Sequence, residues 1–453
     1  MIAEPLPFPA MDRSLWAVLV GTFLLRFSTG LTGAMLASYL AVLPQYGGDR
    51  VSPLVVGVFS ALFYLAELVL SPYFGVLSDR QGHHRVMLYG PIFGAIAVIL
   101  TAGTADTGMS GPLSVLLAPI VGSLVVLGLT RLLEGASTAA SVPSILGFIA
   151  LATARDAGLR GQASARFEGA TLLGLGAGFA TAPLLFAALG PAGFLLNAVL
   201  YGVAFLVFWT VKDPAGEDAA VRAPHIGMRR YLELVRNAHV WLLAPTWIAV
   251  NASIGLWFSQ SIFQFAQANP DFPDQALMRG FTALQISAAA VVIGVIFGAG
   301  LLYWGDRFKS LRRTTIILYG IIGGGVLVGA GLVINHAAGL TIAVPLAAAV
   351  AAGVGLFVLA GATPAALGLL ADISERFPAD RGAIMGLYSV FLAVGQIIGA
   401  LIGGIAADLR GIDGMLIATA MLLVVALLPL ARLRRDEELL TAPERDGATE
   451  ARA

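Results

Sequence analysis

The chain has 453 residues, of which 58% are apolar and 12% charged; ordinary soluble domains carry about 25% charged residues. So few polar side chains cannot cover a soluble globule of this size, and a mean hydropathy of +0.86 agrees. A soluble multidomain enzyme and disorder over most of the chain are therefore excluded. A net charge of +0 gives no global field for nucleic acid. The absence of cysteine removes disulfides, iron–sulfur clusters and thiolate metal sites.

A helix needs roughly 20 mostly apolar residues to cross about 30 Å of hydrocarbon. Twelve runs meet that need, at 15–43, 53–77, 86–103, 118–150, 167–189, 192–211, 240–266, 283–304, 314–334, 342–370, 383–407 and 412–433. The alternating pattern of a membrane barrel is absent. The first run is read as a span and not as a cleaved signal, because it is long and follows acids and prolines instead of a basic segment. The expected fold is all-α: a polytopic membrane protein of 12 transmembrane helices in two pseudo-symmetric six-helix bundles. A cytoplasmic N-terminal tail (1–14) precedes the first bundle (15–211). A polar linker (212–239) leads to the second bundle (240–433) and a disordered tail (434–453). Met228 to Arg236 reads either as a basic amphipathic surface helix or as plain solvated linker.

Orientation follows from the basic residues in the connections. The connections after runs two, four, six, eight and ten carry sixteen, including Arg80, Arg85, Arg155, Arg160, Lys212, Arg230, Arg307, Lys309, Arg312 and Arg313. The remaining connections carry only Arg50, Arg279 and Arg410. Both termini are thus expected inside the cell, in an inner-membrane protein.

The halves resemble each other. The segment from Arg160 (RGQASARFEGATLLGLGAGFATAP) aligns with that from Arg381 (RGAIMGLYSVFLAVGQIIGALIGG). Phe167 then meets Tyr388, Gly174 meets Gly395, and Gly178 meets Gly399. Asp79-Arg80 after the second run recurs as Asp306-Arg307 after the eighth. Repeated halves point to a transporter with its site between them. Glycines spaced by four (Gly174 and Gly178; Gly395, Gly399 and Gly403) let helix backbones approach closely. A nucleotide loop is rejected there, since no strand precedes it.

The segment Gly75-Val-Leu-Ser-Asp79-Arg80-Gln-Gly82-His83-His84-Arg85 resembles the cytoplasmic signature of the major facilitator superfamily, G-x-L-x-D-R-x-G-R-R/K. Arg131-Leu-Leu-Glu134-Gly135 is similar to that family's R-x-x-x-G motif. The likeness extends over about residues 14–433. It implies a cytoplasmic gate formed by Gly75, Asp79, Arg80, Gly82, Arg85, Asp306 and Arg307, in which Asp79 caps the start of the eleventh span near Gly382 and Asp306 that of the fifth near Gly161; the other reading is that the two aspartates only set loop shape and topology. His83 and His84 hold the two basic positions, Lys309 replaces a glycine in the second copy, and GAGFATAP stands where the family's antiporters carry G-P-x-x-G-G.

Ionisable groups inside spans are expensive and mark function by default. They lie in the first half: Arg26, Glu67, Arg131, Glu134, and Glu168 near the cytoplasmic end of its run. At a rise of about 1.5 Å per residue, Arg26 and Glu67 sit about 15 Å from the inner face, near the midplane. Arg131, Glu134, Thr138 and Ser141 share one helix face, as do Ser60, Tyr64, Glu67 and Ser71. Two readings stay open: Arg26–Glu67 and Arg131–Glu134 as structural ion pairs, or Glu67 and Glu134 as proton carriers with Arg26 and Arg131 holding a substrate's anionic group. In the second half Trp257, Gln260 and Gln264 share a face and would make the cavity amphiphilic; packing or interface anchoring is the other reading of that stripe.

The expectation is a secondary active transporter moving a small amphiphilic or lipophilic solute by alternating access, exporting it in exchange for protons. Uptake, lipid flipping and a non-transporting receptor are the alternatives. No phosphate loop is present, so no nucleotide partner and no cofactor other than coupling protons is expected. The protein is expected to work as a monomer among membrane lipids, without nucleic acid. An intramembrane enzyme is disfavoured: no histidine lies within a run, and no H-E-x-x-H metal motif exists.

Overall fold

A computed structural model describes residues 12–106, 120–154, 156–212, 238–307, 310–375 and 381–441. They fold into helices: α1 (Arg13–Ala41), α2 (Pro53–Gln81), α3 (His83–Met87), α4 (Tyr89–Gly103), α5 (Leu124–Ala152), α6 (Ala157–Leu189), α7 (Ala192–Trp209), α8 (Ala238–Ala266), α9 (Ala283–Asp306), α10 (Arg313–Asn335), α11 (Ala343–Leu359), α12 (Ala362–Glu375) and α13 (Arg381–Thr441). Ten helical stretches among the described residues are long and apolar enough to cross a membrane. The longest, Ser389–Arg435, holds two of the expected spans, separated where Arg410 and Gly411 leave helical geometry. The all-α, membrane-spanning architecture expected from the sequence is the one found.

Local chemistry sets several boundaries. Asp12 caps α1 by accepting the Arg13 N–H, Ser123 caps α5 through the Val126 N–H, and Asp156 caps α6 through the Leu159 N–H. Gly82 between α2 and α3 has φ of 95°, where a side chain would be strained. Large apolar groups such as Leu173, Leu302 and Leu428 face outward, as expected of helices bathed in lipid. Helix α13 continues to Thr441, so residues 434–441 are helical where a disordered tail was expected; the rest of that tail, and the stretch Met228 to Arg236, lie outside the described residues.

The chain divides into two compact units. Unit 1 runs to Arg222 and adds Ser259–Pro270 and Met278–Val292; unit 2 takes Ala223–Phe258, Asp271–Leu277 and the chain from Ile293. The division therefore falls within α8 and α9 as well as near the linker.

Glycine contacts lock unit 1 together. A Cβ on Gly174 would stand 2.6 Å from the Phe23 carbonyl oxygen, and one on Gly30 would strike the Leu175 carbonyl. One on Gly178 would collide with the Phe27 carbonyl. Since 174 meets 23–27 and 178 meets 27–31, α1 and α6 run parallel in fixed register. Gly135 likewise admits the backbone of Phe63 and Glu67, joining α2 to α5. In unit 2, Gly395, Gly399 and Gly403 of α13 receive Asn251, Ala252 and Leu256 of α8. The packing role read for these glycines holds in both units.

Unit 2 also carries a polar network where α10 ends. Asn335, fully buried, donates from Nδ2 to Asp413 Oδ1 at 2.8 Å and Gln275 Oε1 at 3.2 Å, and its Oδ1 accepts the Leu277 N–H. Gln275 in turn donates to the Arg410 carbonyl, and His336 Nε2 pairs with Asp413 Oδ2 at 2.8 Å.

Candidate functional site

The interior of unit 1 gathers the intramembrane charges. Arg131 and Glu134, one turn apart on α5, form an ion pair; they are 7% and 2% exposed. The Arg131 guanidinium also lies over the Phe63 ring of α2, 5.0 Å from its centroid. Burying two charges is expensive, and mutual pairing with a ring face offsets part of that cost. Glu134 Oε1 has no hydrogen-bond partner among the described residues.

Arg26 and Glu67 are half-buried. They do not form an ion pair within 4.0 Å, so the direct Arg26–Glu67 contact considered from the sequence is not made. Instead the Arg26 charge acts on both Glu67 and Glu168. Glu168 gains this place because α6 begins at Ala157, well before its apolar run, leaving the residue inside the helix and not near its end. Two tyrosines complete the cluster. Tyr64, a turn before Glu67, interacts with Glu67, Arg131 and Arg26; Tyr201 of α7 lies near Thr29 and Thr32 and interacts with Arg131 and Arg26. Tyr64 was visible on the α2 face; Tyr201 was missed because its run shows no charge. The intramembrane Asn197 was the available signal there: its Nδ2 donates to the Ser28 carbonyl and to Thr32 Oγ1.

The neutral candidates are already engaged. Trp257, in unit 2, donates from Nε1 to Thr419 Oγ1 at 3.0 Å. Gln260, in unit 1, is fully buried and donates to the Pro53 carbonyl at 2.9 Å, while Gln264 Nε2 reaches Gln260 Oε1 at 3.5 Å.

The signature residues occupy the loop end of unit 1. Asp79 lies in the last turn of α2 with its carboxylate 3.9 Å from His83 Nε2. The His83 ring packs on α5 at Gly147, where a Cβ would meet the ring. His84 Nε2 sits 3.1 Å from the Phe208 carbonyl at the end of α7. The two histidines thus tie the loop to two helices. Arg80 and Arg85 are exposed. Gly75 is in ordinary contact with Pro143, at 3.8 Å, and needs no unusually close approach there. In unit 2, Asp306 ends α9 and the Arg307 guanidinium covers the Tyr303 ring at 4.8 Å; Lys309 lies outside the described residues.

The family model described as Major Facilitator Superfamily matches residues 18–359 and 303–452. The chain is 24% identical over 414 residues to "Quinolone resistance protein NorA" of Staphylococcus aureus (strain MSSA476), covering 88% of this chain and 91% of the relative. It is 22% identical over 406 residues to "Multidrug resistance protein 2" of Bacillus subtilis (strain 168), covering 88% and 90%. Among solved structures, the nucleoside transporter NupG matches with a TM-score of 0.69 at 14% identity, over 94% of this chain and 100% of that one. A D-xylose–proton symporter matches at 0.62 and 14%, over 91% and 97%. At such identity the structural likeness speaks for the fold alone.

Proposed function

Because the chain belongs to the Major Facilitator Superfamily and is an integral membrane transporter of small molecules, we propose that it exports an amphiphilic or lipophilic solute in exchange for protons. The observation carrying this reading is the set of ionisable groups inside unit 1: Arg26, Glu67, Arg131 and Glu134, all half-buried or buried within long, mostly apolar helices. Arginine keeps its charge throughout, whereas a carboxyl exchanges a proton, so Glu67 and Glu134 are the coupling acids. The resistance relatives support export. The arginine-rich connections, including Arg80, Arg85 and Arg307, face the cytoplasm along with both termini, and each unit carries its own gating loop, with Gly75, Asp79 and Gly82 in unit 1 and Asp306 in unit 2.

Purified protein in liposomes tests the reading. A lipophilic solute should move against its gradient when a pH gradient is imposed, toward the acidic compartment, and should exchange at equal pH. Transport that ignores the pH gradient would reject proton coupling, and an absence of exchange for every solute of this class would reject the substrate assignment.

A further inference from the structure

Four buried polar side chains form a column inside unit 1, between the charged cluster and the end remote from the arginine-rich loops. Tyr39 of α1 and Thr104, just past α4, stand with their hydroxyl oxygens 3.2 Å apart. The Thr104 hydroxyl donates to the Thr101 carbonyl at 2.7 Å. The Thr101 hydroxyl lies 3.0 Å from Thr130 Oγ1 on α5, and also 2.9 Å from the Ala97 carbonyl. Thr130 has the Leu127 carbonyl at 2.8 Å. All four residues are at most 2% exposed. One turn beyond Thr130, on the same face, is Glu134, and one turn beyond that is Thr138, whose buried hydroxyl has no partner among the described residues.

A threonine in an apolar helix is satisfied by one bond to its own backbone. Packing therefore does not require hydroxyls from three helices to meet one another. Thr101 has one hydroxyl proton and two acceptors within reach, so that proton can turn from one to the other. Such rotors, in series, pass protons. Two gaps interrupt the series, from Thr104 to Thr101 and from Thr130 to Glu134. Each is one helical turn, about 5–6 Å, the distance a single bridging water spans.

We propose that this column is the proton route into the transporter, delivering protons from the extracytoplasmic side to Glu134 apart from the solute's path. This rests on the proton-coupled reading above and names its route. Hydronium at the Tyr39 end gives up a proton and becomes water. Each hydroxyl accepts one proton and passes one on, ending unchanged, and the Glu134 carboxylate becomes a neutral carboxyl. That removes the attraction holding Glu134 to Arg131. Tyr64 on α2 and Tyr201 on α7 act on Arg131, and through them the cluster extends to Arg26 on α1, Glu67 on α2 and Glu168 on α6.

The test uses full-length protein in liposomes carrying Thr101→Val, Thr130→Val or Tyr39→Phe, with Thr101→Ser and Thr130→Ser as rescues. Valine keeps the shape and removes the relay; serine restores it. Transport driven by a pH gradient should fall about tenfold or more in the valine and phenylalanine variants, a loss typical of removing a positioned proton-transfer group. Exchange at equal pH should stay near wild type, and serine should restore driven transport. If both activities stay at wild-type rates, or fall together and serine does not help, the route is wrong. Should a valine variant fail to fold, Tyr39→Phe decides alone. Wild-type transport that ignores pH would instead overturn the coupling reading, and the route with it. Loss of pH response in Glu134→Gln with valine variants unaffected would overturn the route only.

Discussion

Arg26 and Asn251 hold equivalent places in the two units. The Arg26 Cβ lies 3.0 Å from where Gly174 would carry a Cβ, and the Asn251 Cβ lies 2.6 Å from the same point on Gly395. Four residues on in each case, Gly30 meets Leu175 and Gly255 meets Gln396, so the register of the two helix crossings repeats as well. The same joint carries a permanent cation in unit 1 and, in unit 2, a neutral amide that donates to its own Trp247 carbonyl. The repeat preserves the packing, while only unit 1 carries a charge at this joint.

The Arg26 charge acts on two carboxylates, Glu67 and Glu168, which compete with any substrate anion for it. Arg26→Gln is therefore expected to reduce transport of an anionic and a matched neutral solute to the same degree. Adding Glu67→Gln should recover part of the loss by removing an acid left without its cation. Transport rates for the matched pair in the single and double variants check this; selective loss of the anionic solute would assign Arg26 to substrate binding.

Glu67→Gln should separate coupling from exchange. Driven transport is expected to fall by about tenfold or more, while exchange at equal pH persists. The comparison is made in the same liposome preparation. Undiminished driven uptake would leave Glu67 with a structural role.

Arg131→Gln leaves Glu134 buried with an uncompensated charge, at a cost of about 3–5 kcal/mol. The double variant Arg131→Gln with Glu134→Gln should regain most of that stability, since no lone charge remains. Thermal unfolding in detergent measures both. A double variant no more stable than the single would show that the pair is not what balances the burial.

Gly178→Ala drives a methyl into the Phe27 carbonyl, backbone against backbone, so α1 and α6 must separate. Overpacking of this kind costs about 1–3 kcal/mol. Gly176, two residues away, has nothing within 4 Å of its Cβ position. Gly176→Ala should be neutral or stabilising by about 0.5–1 kcal/mol, since glycine is the poorer helix former. Equal melting temperatures for the two variants would contradict the parallel register assigned to α1 and α6.

By itself the sequence determined the class of the protein and the placement of its helices. The cost of burying polar groups in lipid leaves so few solutions that apolar runs, basic loops and repeated glycines suffice to read them. It also identified which side chains are exceptional, because a charge in an apolar run stands out by composition. Only the tertiary structure decided who meets whom. The Arg26 charge acts on two acids and not one, because the α1–α6 register depends on which carbonyl each glycine admits. Gln260 is spent on the Pro53 carbonyl. The Tyr39–Thr104–Thr101–Thr130 column joins three helices whose hydroxyls, taken one at a time, look like ordinary threonines satisfied by their own backbone. Spacing along one helix fixes a face, but contacts between helices depend on rotation and offset, which the sum of many close packings sets and no single segment encodes.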